Sequence, residues 1–324
     1  MTAEIALLSY RQSEMDFMYQ LTKPPMGELL KALPQNRIVQ SLPLAPLCTY
    51  RVGGNADLAV CPRSAHEAAD TIAILSRHGC SYEILGQGSN VLVSDNGVRE
   101  PMIITTKMNV VELDRNLLIA DAGTPCTKLA SAAFQAGLTG LEFFHCLPGS
   151  VGGATFMNAR AFGQEVSQTI EWVDIIKPNG ELVRQELTPA DFSYKRSPFM
   201  DKDVFVARAS FRLKTAPRDH IRATMEANET HRRKKGEMDN PSCGCVFKNP
   251  YHAGRSAGAL IDSCNLKGLR LGRAWVSHKH ANFVVHSGKA TAAQIRQLME
   301  RVRTTVYTRT GVSMDYEVRF LGEW

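Results

Sequence analysis

The feature that most constrains the fold is a regular alternation of short apolar segments with amphipathic ones, which begins near residue 50. Residues 56–61 predict a strand, and residues 64–77 predict a helix with Ser64 and Glu67 at capping-box spacing. Three more short strands are predicted, at residues 82–85, 91–94 and 102–105. This alternation predicts an α/β fold in which helices cover a sheet.

Two further units follow the first one along the chain. The predicted elements of the second unit are a strand, a helix, a hairpin and a strand, at residues 117–121, 126–136, 172–185 and 204–214. A charged helix at 220–235 leads into the third unit, which ends in a helix at 292–309. That helix carries capping residues and an apolar face, at Thr291, Gln294, Ile295, Leu298, Met299, Val302 and Val306.

The two ends of the chain give weaker predictions. Residues 1–40 have little pattern and are expected to form an extension that precedes the main fold. Residues 312–320 alternate apolar and polar side chains, which predicts a terminal strand.

Composition and charge are ordinary for a soluble globular protein. The net charge of +6 suits small anionic molecules as well as it suits nucleic acid. No apolar run approaches the roughly 18 residues that a membrane helix needs, and the first residues lack the basic segment of a secretory signal. We therefore expect a cytoplasmic protein, in which the eight cysteines are reduced thiols.

Two glycine-rich segments could bind phosphate groups. Gly86-Gln87-Gly88-Ser89-Asn90 lies between two predicted strands, where its amides can form an anion nest. The segment from Pro148 to Ala154 precedes a predicted helix and could cradle a pyrophosphate. A plain turn and close backbone packing are the structural alternatives. Two such loops from adjacent units could hold an extended dinucleotide.

Two polar clusters could bind an anionic substrate. The segment from Ser242 to Pro250 combines the Cys245 thiol with an ammonium and an amide, and so could also supply a proton. A metal site formed by Cys243 and Cys245 with two histidines is the alternative, but the spacings are not those of structural zinc, and no metal is expected. Tyr194-Lys195-Arg196 suits a carboxylate or a phosphate, although such runs are commonly solvated surface turns.

Taken together and in order, the motifs resemble the UDP-N-acetylenolpyruvoylglucosamine reductase family. The matching pieces are Thr49 to Gly54, Leu85 to Val93, Gly140 to Glu142, Pro148 to Ala154, Met157 to Ala159, Pro241 to Pro250, Ala257 to Asp262, Leu266 to Gly268, His280 to Phe283 and Glu317 to Arg319. The resemblance implies an α/β (α+β) fold with a two-lobed FAD-binding domain of the vanillyl-alcohol-oxidase (PCMH) type. It places the first lobe at 41–106, the second at 107–214 and a substrate-binding domain at 215–311, with 312–324 returning to the first lobe.

The resemblance also implies a reaction and the residues that carry it. NADPH would reduce FAD, and UDP-N-acetylglucosamine enolpyruvate would then receive a hydride at C3 and a proton at C2. Cys245 stands where most members have a proton-donating Ser, Glu317 matches a catalytic Glu, and Lys195 stands for an Arg, with Arg196 beside it as the other candidate. The expected substrate contacts are Tyr194, Lys235, Lys248, Asn249 and His280. The expected FAD contacts are Tyr50, Arg51, Gly86, Gly88, Ser89, Asn90, Val91, Pro148, Gly149, Ser150, Gly152, Gly153, Ala154 and Arg232.

Three departures from the family pattern leave questions for the structure. A thiol at 245 is a stronger acid than an alcohol, but nearby cations could convert it to a thiolate, which cannot donate a proton. Lys195 lacks the bidentate fork of Arg. Cys146 replaces a Gly just before the second glycine-rich segment and could shift that loop.

Two other functions remain open from the sequence. One is a different FAD oxidoreductase of the same fold, in which His145 or Cys146 could attach the flavin covalently. The other is nucleic-acid binding by the basic run from Arg232 to Lys235, against which the acidic residues Glu229 and Glu237 argue. A small-molecule partner is therefore expected, with neither nucleic acid nor membrane. The oligomeric state stays open, with a monomer favoured.

Overall fold

The first lobe begins earlier than the sequence predicts. The computed structural model describes residues 25–324, so residues 1–24 of the predicted extension lie outside the described residues. Helix α1 (Met26–Ala32) and strand β1 (Ile38–Pro43) already belong to the lobe. Strand β1 pairs antiparallel with β2 (Asn55–Val60), and Leu29 is fully buried in the core of this lobe. The apolar residues of this stretch are too few and irregular to show that packing in the sequence.

The first lobe is a four-stranded sheet covered by a helix. Its remaining elements are α2 (Ala65–Arg77), β3 (Glu83–Leu85), β4 (Val91–Val93) and β5 (Met102–Ile104). The sheet order is β1-β2-β5-β3, and β2, β5 and β3 run parallel to one another. The predicted cap of α2 is confirmed, because the Glu67 amide donates to the Ser64 hydroxyl over 3.2 Å.

The second lobe is built on a five-stranded antiparallel sheet. Its elements are β6 (Val111–Asp114), β7 (Leu117–Asp121), α3 (Cys126–Gln135), β8 (Leu138–Thr139), α4 (Val151–Phe156), β9 (Arg160–Ala161), β10 (Gln164–Glu165), β11 (Ile170–Ile176), β12 (Leu182–Glu186), β13 (Phe205–Arg212) and β14 (Lys214–Thr215). The sheet order is β12-β11-β13-β7-β6, which includes the predicted hairpin. Buried aromatic side chains such as Phe144 and Phe211 fill the space between this sheet and α3.

The third unit packs a small sheet against a long helix. Its elements are α5 (Arg218–Lys234), α6 (Ala257–Ser263), β15 (Arg270–Leu271), β16 (Ala274–Val276), β17 (Val284–His286) and α7 (Ala292–Thr310). The predicted apolar face of α7 is buried, and its capping box is confirmed. The Asp95 carboxylate, from the first lobe, also accepts from the Ala292 and Ala293 amides, each over 2.9 Å. This contact ties the start of α7 to the first lobe.

The terminal strand is much shorter than the sequence predicts. Only Arg319–Leu321 forms a strand, β18, and it pairs parallel with β4 of the first lobe. Before it, the Glu317 amide donates to the Val246 carbonyl over 2.8 Å, so this part of the chain bridges to the third unit. The alternation at 312–320 correctly predicts the buried positions Met314 and Val318. It could not predict how much of the segment forms a strand. Burial requires only packing, whereas a strand also requires a neighbouring strand that continues its hydrogen bonding.

Residues 25–324 contain neither a candidate transmembrane helix nor a cluster of three metal ligands. No helix in that range is long and apolar enough to cross a bilayer. In the same range, no three His, Cys, Asp or Glu side chains come together as a metal site. The thiols of Cys48, Cys61, Cys126, Cys146, Cys243, Cys245 and Cys264, all in this part of the chain, are free.

Candidate active site

The two glycine-rich loops form the walls of one cavity of about 560 Å³. This volume lies within the usual range of ligand sites, roughly 300–1,000 Å³. All three units contribute to the lining. The expected site residues on the wall are Gly86, Gly88, Ser89, Asn90, Val91, Pro148, Gly149, Ser150, Gly152, Gly153, Ala154, Lys195, Arg232, Cys245 and Glu317. The fold therefore joins segments that are more than 200 residues apart in sequence.

The two loops pack directly on each other, and this contact requires glycine. A Cβ added to Gly86 would lie 2.2 Å from the Ser150 Oγ, and one added to Gly149, whose φ is +138°, would lie 2.9 Å from the Ser89 Oγ. In the described part of the chain, the backbone N–H groups of residues 86–89 find no backbone acceptor. Unpaired donors on a cavity wall fit a phosphate-bearing cofactor such as FAD.

The charges around the cavity also favour an anionic ligand. The basic residues on its wall are Arg160, Lys195, His231, Arg232 and Arg319, against the acidic residues Glu237 and Glu317. Sequence reasoning did not assign a role to Arg160, His231 or Arg319. Arg160 directly follows a matched motif, and Arg319 lies within one, so their position beside the motifs was the available signal. The surplus of cations can balance phosphates and a carboxylate.

Lys195 and Glu317 form an ion pair at the cavity. The Lys195 Nζ lies 2.5 Å from the Glu317 Oε1, and their side chains are 15% and 12% exposed. Lys195 occupies a turn closed by two hydrogen bonds between Ser193 and Arg196, each 3.1 Å long. Its φ of +54° is unfavourable for a side chain of this kind, and residues held in such conformations cluster at functional sites.

Arg196, the other candidate cation, points elsewhere. Its guanidinium pairs with Asp201, and both side chains are more than half exposed. Arg196 is absent from the cavity wall. Because the turn sends adjacent side chains in different directions, the structure brings only Lys195 to Glu317 and leaves Arg196 at the surface.

Cys245 lines the same cavity and is held by its neighbours along the chain. The Val246 amide donates to the Asn282 carbonyl over 2.9 Å, and the Phe247 amide donates to the Asn282 Oδ1 over 3.0 Å. The Asn282 Nδ2 donates back to the Phe247 carbonyl over 2.8 Å. Asn282 is itself buried. These bonds, with that from Glu317 to Val246, fix the backbone that carries the thiol.

The Cys245 thiol remains protonated despite the cations nearby. Burial, followed by the negative charge of Glu317, raises its pKa to about 12, and the positive charge of Lys195 opposes this only in part. The pKa of Cys243 is likewise raised to about 12, chiefly by burial. A raised pKa favours the protonated thiol, which is the form that a proton donor requires.

Asn90 and Arg232 use their side chains to organise the cavity. The Asn90 Nδ2 donates to the Glu317 carbonyl over 2.9 Å, so the first glycine-rich loop holds the segment that carries Glu317. The Arg232 Nε donates to the Glu237 carboxylate over 2.8 Å, and its Nη1 donates to the Cys146 carbonyl over 2.7 Å. The backbone carbonyl of Cys146, the residue that replaces the family's Gly, is thus hydrogen-bonded to Arg232.

Two expected FAD contacts lie away from the cavity wall. Tyr50 is fully buried, and its hydroxyl donates to the Val284 carbonyl over 2.9 Å. Burial raises the pKa of that phenol well above its usual value. Arg51 is exposed. Tyr50 therefore joins the first lobe to the third unit as a core residue, which its aromatic ring favours, and the FAD contacts of Tyr50 and Arg51 stay predictions.

The five expected substrate contacts also lie outside the wall: Tyr194, Lys235, Lys248, Asn249 and His280. The Tyr194 hydroxyl accepts from the Asn249 amide over 3.2 Å, and the Asn249 Oδ1 accepts from the Ala257 amide at the start of α6. The Asn249 side chain thus caps a helix. Burial lowers the pKa of His280, whose Nδ1 has no hydrogen-bond partner among residues 25–324. The substrate roles of these residues stay predictions.

The residues considered for covalent flavin attachment are not on the cavity wall. His145 lies 3.5 Å from the Glu229 carboxylate, on the side of α5. The Cys146 side chain is also absent from the lining.

Comparisons with known proteins agree with this site. A family model described as the C-terminal domain of UDP-N-acetylenolpyruvoylglucosamine reductase matches residues 236–321, and one described as an FAD binding domain matches residues 56–186. The UDP-N-acetylenolpyruvoylglucosamine reductase of Clostridium novyi (strain NT) is 38% identical over 296 residues, covering 91% of this chain and 96% of that protein. That of Pediococcus pentosaceus is 36% identical over 292 residues, covering 90% and 97%.

The fold of this chain also resembles that of a solved structure. The crystal structure of UDP-N-acetylenolpyruvylglucosamine reductase from Thermus caldophilus aligns with a TM-score of 0.73 and 32% identity, covering 88% of this chain and 98% of that one. The predicted fold class and the predicted resemblance are both confirmed. The chain therefore belongs to the UDP-N-acetylenolpyruvoylglucosamine reductase family, the FAD-dependent oxidoreductases of peptidoglycan precursor synthesis.

Proposed function

We propose that this chain uses NADPH to reduce UDP-N-acetylglucosamine enolpyruvate to UDP-N-acetylmuramate, with Cys245 as the proton donor. One observation carries the proposal. Cys245, Lys195 and Glu317 line the same cavity as the two glycine-rich loops. A proton donor and an ion pair therefore face the place where a flavin and its substrate would meet.

FAD would be held by the two loops and by Arg232. The amides of residues 86–89, which have no backbone acceptor in the described part of the chain, and the guanidinium of Arg232 would supply donors and charge for its pyrophosphate. When bound, FAD supplies the hydride chemistry, taking a hydride from NADPH and giving one to C3 of the enolpyruvyl group. The close contact between Gly86 and Ser150 fixes the distance between the loops.

Cys245 would protonate C2 of the substrate. As C3 gains the hydride, the former double bond places negative charge on C2 and on the adjoining carboxylate. The S–H bond of Cys245 breaks and a C2–H bond forms, which leaves a saturated product and a thiolate. The thiol is protonated at neutral pH, because burial and Glu317 raise its pKa to about 12. General acids of this kind act from within hydrogen-bond reach of the carbon that they protonate.

Lys195 would stabilise the charge that develops during this step. Its ammonium lies at the cavity, and Glu317 holds it there through the ion pair. A fixed cation that faces a developing enolate lowers the barrier without reorganising solvent. After the proton has left, the same cation favours the Cys245 thiolate until it is reprotonated. Glu317 acts here by positioning Lys195 and by holding the free thiol in its protonated form.

The function can be tested by following the two half-reactions of the purified protein separately. FAD-loaded protein is first reduced anaerobically with NADPH and then mixed with UDP-N-acetylglucosamine enolpyruvate, while flavin absorbance is recorded. We expect bleaching by NADPH and rapid recovery of the colour with the substrate. Reduction by NADPH without recovery would favour another oxidoreductase of the same fold. Flavin that stays on the acid-denatured chain would also contradict the proposal.

A further inference from the structure

The hairpin that follows the second glycine-rich loop places an arginine at the cavity. Arg160 begins strand β9, is exposed, and lies on the cavity wall. Its guanidinium carbon lies 5.9 Å from the centre of the Tyr194 ring. Because Tyr194 directly precedes Lys195, this contact places Arg160 next to the turn that carries the Lys195–Glu317 pair.

Among residues 25–324, Arg160 differs from the other long cations of the wall in having no acidic partner. Lys195 pairs with Glu317, and Arg232 pairs with Glu237. Arg319 lies 3.7 Å from Glu83. Within the described chain, no carboxylate pairs with Arg160, and its guanidinium contacts the Tyr194 ring. An unbalanced guanidinium on a cavity wall is suited to an anionic group of a ligand.

The backbone on both sides of Arg160 has unfavourable conformations that specific contacts hold in place. Asn158 is fully buried and has a φ of +44°. Its side-chain Nδ2 donates to the Ser193 carbonyl over 3.0 Å. That bond ties the start of the hairpin to the turn that contains Lys195. At the hairpin tip, Phe162 has a φ of +53°, and its ring packs edge-on against His231, 5.8 Å away. Such conformations persist only where their surroundings enforce them.

We propose that Arg160 binds an anionic oxygen of the nucleotide-sugar substrate, either on its diphosphate or on its enolpyruvyl carboxylate. This inference rests on the proposed function. Lys195 offers a single point charge to the substrate, whereas Arg160 offers a planar fork that can bind two oxygens at once. Arg160 thus supplies, from a neighbouring hairpin, the bidentate contact that the Lys at position 195 cannot make.

The test uses full-length, FAD-loaded protein and two ligands. UDP-N-acetylglucosamine enolpyruvate and UDP-N-acetylglucosamine are titrated into oxidised protein, and binding is measured by calorimetry and by the change in flavin absorbance. The variants are Arg160→Gln and Arg160→Lys, with Arg273→Gln as the control, because Arg273 is exposed and lies outside the cavity wall. All of them are expected to bind FAD as the unaltered chain does.

We expect Arg160→Gln to raise the Kd of the enolpyruvyl substrate about tenfold or more, with a smaller rise for Arg160→Lys and none for Arg273→Gln. An equal rise for both ligands would assign Arg160 to the diphosphate, and a rise for the enolpyruvyl ligand alone would assign it to the carboxylate. Unchanged binding of both ligands by Arg160→Gln would overturn the inference. Failure of the unaltered chain to reduce the substrate would refute the proposed function, while the binding data would still decide the role of Arg160.

Discussion

The protonation state of Cys245 can be measured through its reactivity. Burial and the charge of Glu317 raise the pKa of this thiol from 9.0 to about 12. At pH 8 the thiolate fraction is then about one in ten thousand, against about one in ten for a pKa of 9.0. Because iodoacetamide reacts with the thiolate, alkylation of Cys245 should be roughly a thousandfold slower than that of an unperturbed thiol.

Replacing Glu317 with Gln should reverse much of this protection. The change removes a negative charge that raises the Cys245 pKa and releases Lys195, whose charge lowers it. A fall of one unit in the pKa raises the thiolate fraction tenfold, so we expect alkylation at pH 8 to become at least about tenfold faster.

The assay is the time course of alkylation at Cys245, followed by mass spectrometry of its peptide after digestion, with Cys245→Ser to confirm the assignment. Cys126, whose pKa is raised to about 12 by burial without a contribution from Glu317, is the internal comparison. Fast alkylation of Cys245 in the unaltered protein would contradict a raised pKa of this thiol. Equal acceleration of Cys245 and Cys126 in the Glu317 variant would also contradict it, because that would indicate general loosening of the protein.

Three further predictions test the loops, the ion pair and the contact between units. Gly86→Ala should weaken FAD binding at least about tenfold in a flavin titration, because its Cβ would meet Ser150, whereas Gly27→Ala, with nothing within 4 Å, should not. Lys195→Ala should slow reoxidation of reduced flavin by the substrate at least about a hundredfold, but Arg196→Ala less than about twofold, in stopped-flow measurements. Asp95→Ala should lower the free energy of unfolding by about 1–2 kcal/mol in urea, because two amides of α7 lose their acceptor.

The sequence predicted local structure well where a periodic pattern and a cap agreed. Helix α7 is an example, since its apolar face and the Thr291–Gln294 box are both found in the structure. The start of the first lobe was missed, because α1 owes its place to tertiary packing and not to its own pattern. The terminal strand was predicted too long for a related reason. Met314 and Val318 are buried, but the segment between them pairs with a loop over a single bridge.

The motifs of the site were found, but the directions of their side chains were not. The sequence could not decide between Lys195 and Arg196, because the outcome depends on a turn with a positive φ that a Lys seldom adopts. Nor could the sequence show that the Asn249 side chain accepts a hydrogen bond from the first amide of α6. It passed over Arg160, because a lone arginine after a motif has no pattern of its own. Only the fold shows that this residue reaches the cavity.

Protonation of the substrate by Cys245 can be tested by separating the two half-reactions of a variant without this thiol. FAD-loaded Cys245→Ala is reduced by NADPH in a stopped-flow instrument and is then mixed with UDP-N-acetylglucosamine enolpyruvate. We expect flavin reduction to keep its rate within about twofold, while reoxidation by the substrate slows by about a hundredfold or more, the contribution expected of a general acid. Cys245→Ser should restore most of the reoxidation rate. Equal loss of both half-reactions, or full reoxidation by the Ala variant, would contradict this role of Cys245.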